Sequence, residues 1–221
     1  MERKLKIGVI GAGHIGGNVA RRLAASGHSI TVSFSRDPDR LRTFADEISA
    51  RVEEPSVAVV DAEVVVISVP WGAIPAALEN VDLEGRIVID TTNQFGSGRK
   101  PAGGQTAAQF NAERMVGARY TKSFNTLTAR FQAEVADRPE DEKVVQWLSG
   151  DDGAAKEVVA QLIRDAGYVP VDLGGTAECA VIEAPRRPGA VYGEEYRLQD
   201  AQAVVDAVRE GRPIPPAPLY A

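Results

Sequence analysis

Three glycines near the N-terminus have the spacing of a phosphate-binding turn. Gly11, Gly13 and Gly16 form the pattern G-x-G-x-x-G between the apolar run LKIGVI and a stretch with apolar residues at helical spacing. In such a turn the first glycine permits the tight bend, the second lets backbone approach a pyrophosphate, and the third lets the helix pack closely on the strand. The sequence therefore predicts a dinucleotide site, with His14 and Ile15 at the helix start as further cofactor contacts.

The end of the second predicted strand bears on which dinucleotide fits. Arg36 lies 36 − 11 = 25 residues beyond the first glycine, near the place where NAD-binding proteins carry an Asp or Glu. Its guanidinium could bind a 2′-phosphate, and the hydroxyl of Ser33 or Ser35 could add a hydrogen bond. Asp37 is the opposing signal, because a shift of one residue would place a carboxylate there. On balance the sequence favours NADP.

Further candidates follow later strands at the same predicted edge of the sheet. Val69, Pro70 and Trp71 follow the fourth strand, Asn93 follows the fifth, and Asn125 follows the next one. We predict that Val69, Pro70 and Asn93 contact the cofactor, and that Pro70, Trp71, Asn93 and Asn125 are candidates for the hydride-transfer pocket. Two alternatives stay open: Trp71 packs beneath a loop, and Asn125 caps a helix. No catalytic residue is assigned with certainty.

The elements that must position these residues alternate along the chain. Short β-branched runs alternate with amphipathic stretches, which is typical of βαβ units around a parallel sheet. The sequence predicts an α/β fold of the Rossmann type: a doubly wound, mainly parallel sheet with helices on both faces, plus a Pro-rich C-terminal tail. Strands are predicted at 5–10, 29–34, 51–53, 64–69, 86–90, 120–124, 144–148 and 168–171, and helices at 15–26, 38–49, 56–60, 73–78, 106–115, 126–135, 154–166 and 199–209.

We expect a single domain over 1–221. It would comprise a dinucleotide-binding core (1–125), a C-terminal α/β extension (126–183), and a tail (184–221) that lies on the surface or contacts a second copy. The tail contains EAPRRPGAVYGEEY and RPIPPAPLYA, whose prolines argue against continuous helix.

Composition excludes several classes of function. The chain has 221 residues and a formal net charge of −6, so it offers no basic field for nucleic acid. No apolar run approaches the roughly 20 residues that span a bilayer, and the first residues do not form a signal peptide. A single cysteine, Cys179, excludes an internal disulfide, and no metal site is predicted. These observations lead us to expect a cytoplasmic protein that acts on a small molecule.

Several segments together resemble one family. The runs GAGHIGGNVARRLAASGHSITVSFSR, VISVPW, DTTN, KSFNTL and SGDDGAAKEVVAQLIRDAGYVPVDLGG are similar to NADP oxidoreductases that depend on coenzyme F420, and to predicted dinucleotide-binding reductases. The resemblance implies that NADP lies on the glycine turn with Ser35 and Arg36 at its 2′-phosphate. It also implies a deazaflavin over the nicotinamide near the VPW segment, direct hydride transfer between the two rings, and a homodimer.

The resemblance ends after Gly175. There the chain continues as CAVIEAPRRPGAVYGEEY, where the deazaflavin reductases are expected to continue with an apolar helix. One alternative is therefore an NADPH-dependent reductase of another small acceptor, such as a flavin, a ferric chelate, or a carbonyl or imine compound. Another is an NADP(H)-binding sensor without catalysis, because no proton donor is identified.

Overall fold

A computed structural model describes residues 3–220. Met1, Glu2 and Ala221, the outer ends of the predicted domain and tail, lie outside the described residues. Eight strands form one sheet in the order β3-β2-β1-β4-β5-β6-β7-β8. All neighbouring strands are parallel except β6 and β7, which are antiparallel. The strands are β1 (Lys6–Ile10), β2 (Ser29–Ser33), β3 (Arg51–Val52), β4 (Val64–Ile67), β5 (Ile87–Asp90), β6 (Arg119–Lys122), β7 (Val145–Gly150) and β8 (Val169–Asp172).

Helices cover both faces of this sheet. Val64 and Val66 of β4 belong to one apolar cluster, whereas Val65 and Ile67 belong to another. Because successive side chains of a strand point to opposite faces, the strand is buried on both sides. The helices are α1 (His14–Ala25), α2 (Pro38–Glu47), α3 (Pro55–Ala58), α4 (Ile74–Ala77), α5 (Ala107–Arg114), α6 (Ala129–Val135), α7 (Gly153–Asp165) and α8 (Leu198–Arg209). The predicted doubly wound α/β class is confirmed.

One helix begins later than the sequence indicates. We expected a helix from 126, with Asn125 as a possible cap, but α6 begins at Ala129. The hydroxyl of Thr128 accepts a hydrogen bond from the Phe131 N–H and thus caps the helix. Asn125 therefore does not cap α6 and lies in the loop before this helix.

The expectation of a surface tail over 184–221 is wrong where parts of this segment pack into the core. Val191 and Val204 are fully buried, and Tyr196 is 2 % exposed with its ring 5.3 Å from that of Trp147. The apolar residues of α8 supply the reason, because they cover the outer part of the sheet. Residues 184–196 and 210–220 contain no helix or strand, as their prolines predict. Within the described residues, no helix has the length and apolar character needed to cross a membrane.

Candidate functional site

The candidate site lies where the order of strands reverses. β1 pairs with β2 on one side and with β4 on the other, so the chain moves outward in opposite directions from this point. The carboxyl ends of β1, β2, β4, β5 and β6 meet at the same edge because these strands are parallel. In open α/β sheets, ligands bind in the crevice at this place. The predicted site residues all lie on or next to these strand ends.

The three glycines of the turn between β1 and α1 have different surroundings. Gly11 has φ = +96°, and a Cβ there would lie 2.4 Å from the Ser68 carbonyl oxygen. A Cβ on Gly16 would lie 2.1 Å from the Gly11 oxygen. Both glycines are therefore required by the packing of the turn. A Cβ on Gly13, in contrast, would meet nothing within 4 Å, so the space in front of this residue is open.

The helix behind this open space presents unpaired backbone donors. Gly13 is the N-cap of α1 and offers no side-chain acceptor, and the first turn contains no acidic residue. The N–H groups of His14, Ile15 and Gly16 have no acceptor within the helix, as in any first helical turn. Together with the helix dipole they form a place suited to phosphate oxygens. His14 is exposed beside it, and Ile15 is half-buried.

The end of β2 lies beside the glycine turn. The Gly11 N–H donates to the Ser33 carbonyl at 2.9 Å. Ser33 itself is fully buried, and its hydroxyl has no hydrogen-bond partner among the described residues. Phe34 then turns the chain with φ = +58°, and Ser35 and Arg36 are exposed. The Ser35 hydroxyl donates to the Asp37 carbonyl at 2.9 Å and so stiffens the loop that carries Arg36.

Asp37, the opposing signal in the sequence, has a structural role. Its carboxylate accepts a hydrogen bond from the Arg40 N–H at 3.0 Å and caps α2. Arg36 has no salt bridge to any described residue. The loop at the end of β2 thus offers an exposed, uncompensated guanidinium, while the neighbouring carboxylate is held by the helix.

The residues that follow β4 lie in two different environments. Val69 is buried against the glycine turn, and Pro70 is exposed at the edge of the crevice. Trp71 is 1 % exposed, and its indole Nε1 donates to the Arg99 carbonyl at 2.8 Å. Its ring stacks on that of Phe110 with centroids 5.8 Å apart. Of the two interpretations of Trp71, the structure supports packing beneath a loop.

Asn93 and Asn125 are brought together and bind the C-terminal segment. The Asn93 Nδ2 donates to the Asn125 carbonyl at 2.8 Å, and its Oδ1 accepts from the Ala184 N–H at 3.2 Å. The Asn125 Nδ2 donates to the Ile182 carbonyl at 2.7 Å. These bonds fasten the segment around 182–184 to the ends of β5 and β6. The Asn125 Oδ1 is buried and has no partner among the described residues.

A buried ionic network supports these strand ends. Asp90 and Lys122 are both fully buried, 3.3 Å apart, and the Lys122 ammonium also donates to the Thr92 carbonyl at 2.7 Å. The Asp90 carboxylate accepts from the Asn111 amide at 2.7 Å and the Tyr120 hydroxyl at 2.5 Å. Burial alone would raise the pKa of Asp90, but the charge of Lys122 and these hydrogen bonds hold the pKa below its ordinary value.

Two residues that hold these strand ends in place were not predicted from the sequence. Asn111 lies on the apolar face of α5, with the buried Ala107 and Ala108 one turn before it. Glu183, inside the apolar run CAVIEA, accepts hydrogen bonds from the Ala107 N–H at 2.9 Å and the Ala108 N–H at 2.8 Å. It thereby joins the C-terminal segment to the N-terminus of α5. In both cases the available signal was a polar residue at a position that the spacing of apolar residues marks as buried.

The arrangement of these groups can bind a ligand and fix its orientation. The buried ionisable groups next to the crevice, Asp90 and Lys122, are satisfied by each other and by neighbouring groups. Exposed backbone donors and one guanidinium face the crevice instead. This geometry suits an anionic ligand such as a dinucleotide, whose position the protein would fix.

Comparisons with known proteins agree with this geometry. Residues 6–94 match the family model described as NADP oxidoreductase, coenzyme F420-dependent. The solved structure of the hypothetical protein SMa0349 from Sinorhizobium meliloti is 31 % identical with a TM-score of 0.75, over 87 % of this chain and 96 % of that one. A protein of Arthrobacter sp. FB24, assigned as an F420-dependent NADP-reductase, is 27 % identical with a TM-score of 0.66, over 79 % and 87 % of the two chains.

A curated relative has a greater length. Metalloreductase STEAP3 of Rattus norvegicus is 28 % identical over 180 residues, which make up 81 % of this chain and 36 % of that protein. The chain thus spans about a third of the length of this relative. The chain belongs to the family of NADP oxidoreductases described as coenzyme F420-dependent.

Proposed function

We propose that this protein binds NADP(H) and transfers a hydride directly between the nicotinamide and the deazaflavin coenzyme F420. The observation that carries the NADP part is the end of β2. There Arg36 is exposed without a salt bridge to any described residue, and the Asp37 carboxylate is held at the N-terminus of α2. The family description and the Arthrobacter relative support F420 as the second coenzyme.

The proposed binding mode follows from the order of strands. The pyrophosphate would lie in the open space at Gly13 and accept hydrogen bonds from the first turn of α1. With the 2′-phosphate at Arg36 beyond β2, the other half of the dinucleotide must extend over β4 and β5. Pro70 and Asn93 lie at the ends of those strands and would border the nicotinamide.

The residues of the protein around the nicotinamide would then bind and orient it. NADPH supplies the hydride, with its electron pair, from C4 of the nicotinamide. Pro70 would form a rigid wall of the pocket because its ring fixes φ. The buried, unpartnered Asn125 Oδ1 could accept a hydrogen bond from the carboxamide N–H₂. No step requires an acid or base from the protein at the carbon that receives the hydride.

A second candidate is an NADPH-dependent reductase of another small acceptor. The observation that favours it is the C-terminal segment, which departs from the family after Gly175 and is fastened to Asn93 and Asn125 at the crevice. This segment could reshape the acceptor side for a flavin, a ferric chelate, or a carbonyl or imine compound. An anaerobic assay of NADPH oxidation with F420, free flavin and ferric citrate in parallel separates the two candidates.

The outcomes of that assay are distinct. Turnover with F420 alone supports the first proposal, and turnover only with another acceptor supports the second. Tight NADPH binding without turnover on any of these acceptors would contradict both and would favour an NADP(H)-binding sensor. Binding is measured separately, by the fluorescence of NADPH, so a failure of the dinucleotide site is recognised as such.

Assembly as a homodimer stays a prediction. Leu198 is 59 % exposed and Leu219 is 99 % exposed, so the C-terminal segment presents apolar side chains that a second copy could cover. Light scattering on the purified protein should give about twice the chain mass of 23.6 kDa. A value near the chain mass would refute the dimer.

A further inference from the structure

Three positive side chains surround one buried aromatic pair. The guanidinium carbon of Arg114 lies 4.7 Å from the ring centroid of Trp71 and 4.6 Å from that of Phe110. Arg99 lies 5.7 Å from the Phe110 centroid, and the Lys100 ammonium lies 5.9 Å from the Trp71 centroid. Cations are attracted to the faces of aromatic rings. Here three of them share two rings and therefore repel one another.

These cations are not directly paired with a carboxylate in the described part of the chain. None of the three forms a salt bridge within residues 3–220. The Asp90 carboxylate nearby already accepts four hydrogen bonds from groups other than these cations. Glu113 is the acidic residue next to the cluster, and its Oε1 accepts from the Gln105 amide at 2.8 Å. Positive charge thus accumulates locally on a protein whose formal net charge is −6.

The cluster borders a cavity. The cavity has a volume of about 310 Å³. Glu113 is one of its lining residues, and the main others are Trp71, Pro75, Arg99, Phe110 and Arg114. Pro75 is a residue of α4, and the last two belong to α5, so the cavity lies between these helices and the loop after β5. Of the residues predicted for the dinucleotide and hydride-transfer sites, Trp71 lines this cavity and the others do not. Trp71 follows Pro70 in the chain, so the cavity lies next to the proposed nicotinamide pocket.

The loop that supplies Arg99 is held firmly. The Trp71 indole N–H donates to the Arg99 carbonyl at 2.8 Å. Gly98 has φ = +104°, and a Cβ there would lie 2.9 Å from the Gly72 Cα, so the two backbones touch. The positive groups are therefore positioned before any ligand arrives, which lowers the entropic cost of binding.

We propose that this cavity binds an oxyanion, a phosphate or carboxylate group of a small molecule. An anion between Arg99 and Arg114 would relieve their mutual repulsion and could accept hydrogen bonds from both guanidinium groups. Burial lowers the pKa of Arg114; Asp90 and Tyr120 oppose this shift, and the charge of Arg99 adds to it. The site does not depend on the function proposed above.

The indole of Trp71 offers a local reporter for the test. The protein has two tryptophans, so a ¹H–¹⁵N spectrum contains two indole signals, which the Trp71→Phe variant assigns. Inorganic phosphate and succinate are titrated separately at constant ionic strength. We expect at least one of them to shift the Trp71 signal to saturation, while Trp147, buried beside Tyr196, does not move. The two titrations show whether phosphate or carboxylate is preferred.

Paired variants make the test specific. Arg99→Gln combined with Lys100→Gln removes two exposed charges at the cavity, and Arg164→Gln combined with Arg209→Gln removes two exposed charges elsewhere. The first pair should weaken anion binding at least tenfold, whereas the control pair should leave it unchanged. NADPH binding should stay the same in both.

Two results would overturn the proposal. The first is the absence of a saturable shift of Trp71 with either anion. The second is equal affinity in the wild type and in the variant that lacks the charges of Arg99 and Lys100. Phosphate that binds instead at the glycine turn is recognised by the same criterion, because its affinity would not depend on these two residues.

Discussion

At the scale of single residues, the proposed NADP site assigns the choice between NADP and NAD to Arg36. Arg36→Ala should weaken NADP binding about 10- to 150-fold, or about 1.5–3 kcal/mol, because a charged hydrogen-bond partner of the 2′-phosphate is lost. NAD binding should change little, since NAD has a hydroxyl at that place. Isothermal titration with both dinucleotides measures the difference. Arg164→Ala, an exposed arginine on α7, is the control. Equal losses for NADP and NAD would refute this role of Arg36.

The glycines of the turn should respond in opposite ways to substitution. Gly13→Val should abolish binding of both dinucleotides and leave the melting temperature near that of the wild type, because its Cβ meets no protein atom within 4 Å. Gly16→Ala should lower the free energy of unfolding by about 1–3 kcal/mol, because its Cβ would overlap the Gly11 oxygen. Thermal and urea unfolding measure the stability. A strongly destabilised Gly13→Val variant would contradict the open space inferred in front of α1.

At the scale of the elements, one buried ion pair joins β5 to β6. Lys122→Met should lower the free energy of unfolding by about 3–5 kcal/mol, because it leaves the fully buried Asp90 carboxylate without its counter-charge. Tyr120→Phe is the matched control in the same network. It removes one hydrogen bond to the same carboxylate and should cost about 1–2 kcal/mol. If urea unfolding gave Lys122→Met the smaller loss, the ion pair would not be what holds these strand ends together.

The elements themselves were largely predictable because their signals are local. The run LKIGVI, the glycine turn and the following amphipathic stretch lie next to one another in the chain, and the structure has β1 and α1 there. The burial of Trp71 was not predictable in this way. It depends on a hydrogen bond to Arg99, 28 residues further on, and on the loop that carries it. Local periodicity contains no information on such contacts.

The placement of the polar site residues shows the same limit. Asn93 follows a strand, as expected, yet its partner is Ala184, 91 residues away. The sequence could therefore identify the strand end but could not reveal that the C-terminal segment binds there. Arg36 and Asp37 differ in role because the Asp37 carboxylate accepts a hydrogen bond from the Arg40 N–H of α2, a contact that the sequence does not reveal. The assignment of Arg36 and Asn93 to cofactor contacts stays a prediction.

At the scale of the whole molecule, the C-terminal segment has two parts. A chain that ends at Arg209 loses residues 210–221, including Tyr220. The Tyr220 hydroxyl accepts from the Arg197 N–H at 2.8 Å and donates to Asp200 at 2.6 Å. We expect a loss of about 1–3 kcal/mol in the free energy of unfolding, since few hydrogen bonds disappear. A chain that ends at Gly175 loses α8 and the buried residues before it, so it should not unfold cooperatively.

Circular dichroism during heating distinguishes the two truncations. A cooperative transition near the wild-type temperature for the chain that ends at Gly175 would contradict the inclusion of this segment in the core. The error in the sequence prediction has a physical source here. Proline and arginine at 185–188 indicate an exposed loop, but the apolar spacing of the helix that follows decides where the segment packs.

Direct hydride transfer to F420 is the central claim, and isotope transfer tests it most directly. The protein is incubated without oxygen with F420 and with NADPH that carries deuterium at one or the other position of the nicotinamide C4. We predict that one of the two labelled forms passes its deuterium to the deazaflavin, which mass spectrometry of the reduced coenzyme detects. Reduced F420 that contains no deuterium from either form, or no reduction at all while NADPH remains bound, would contradict the claim.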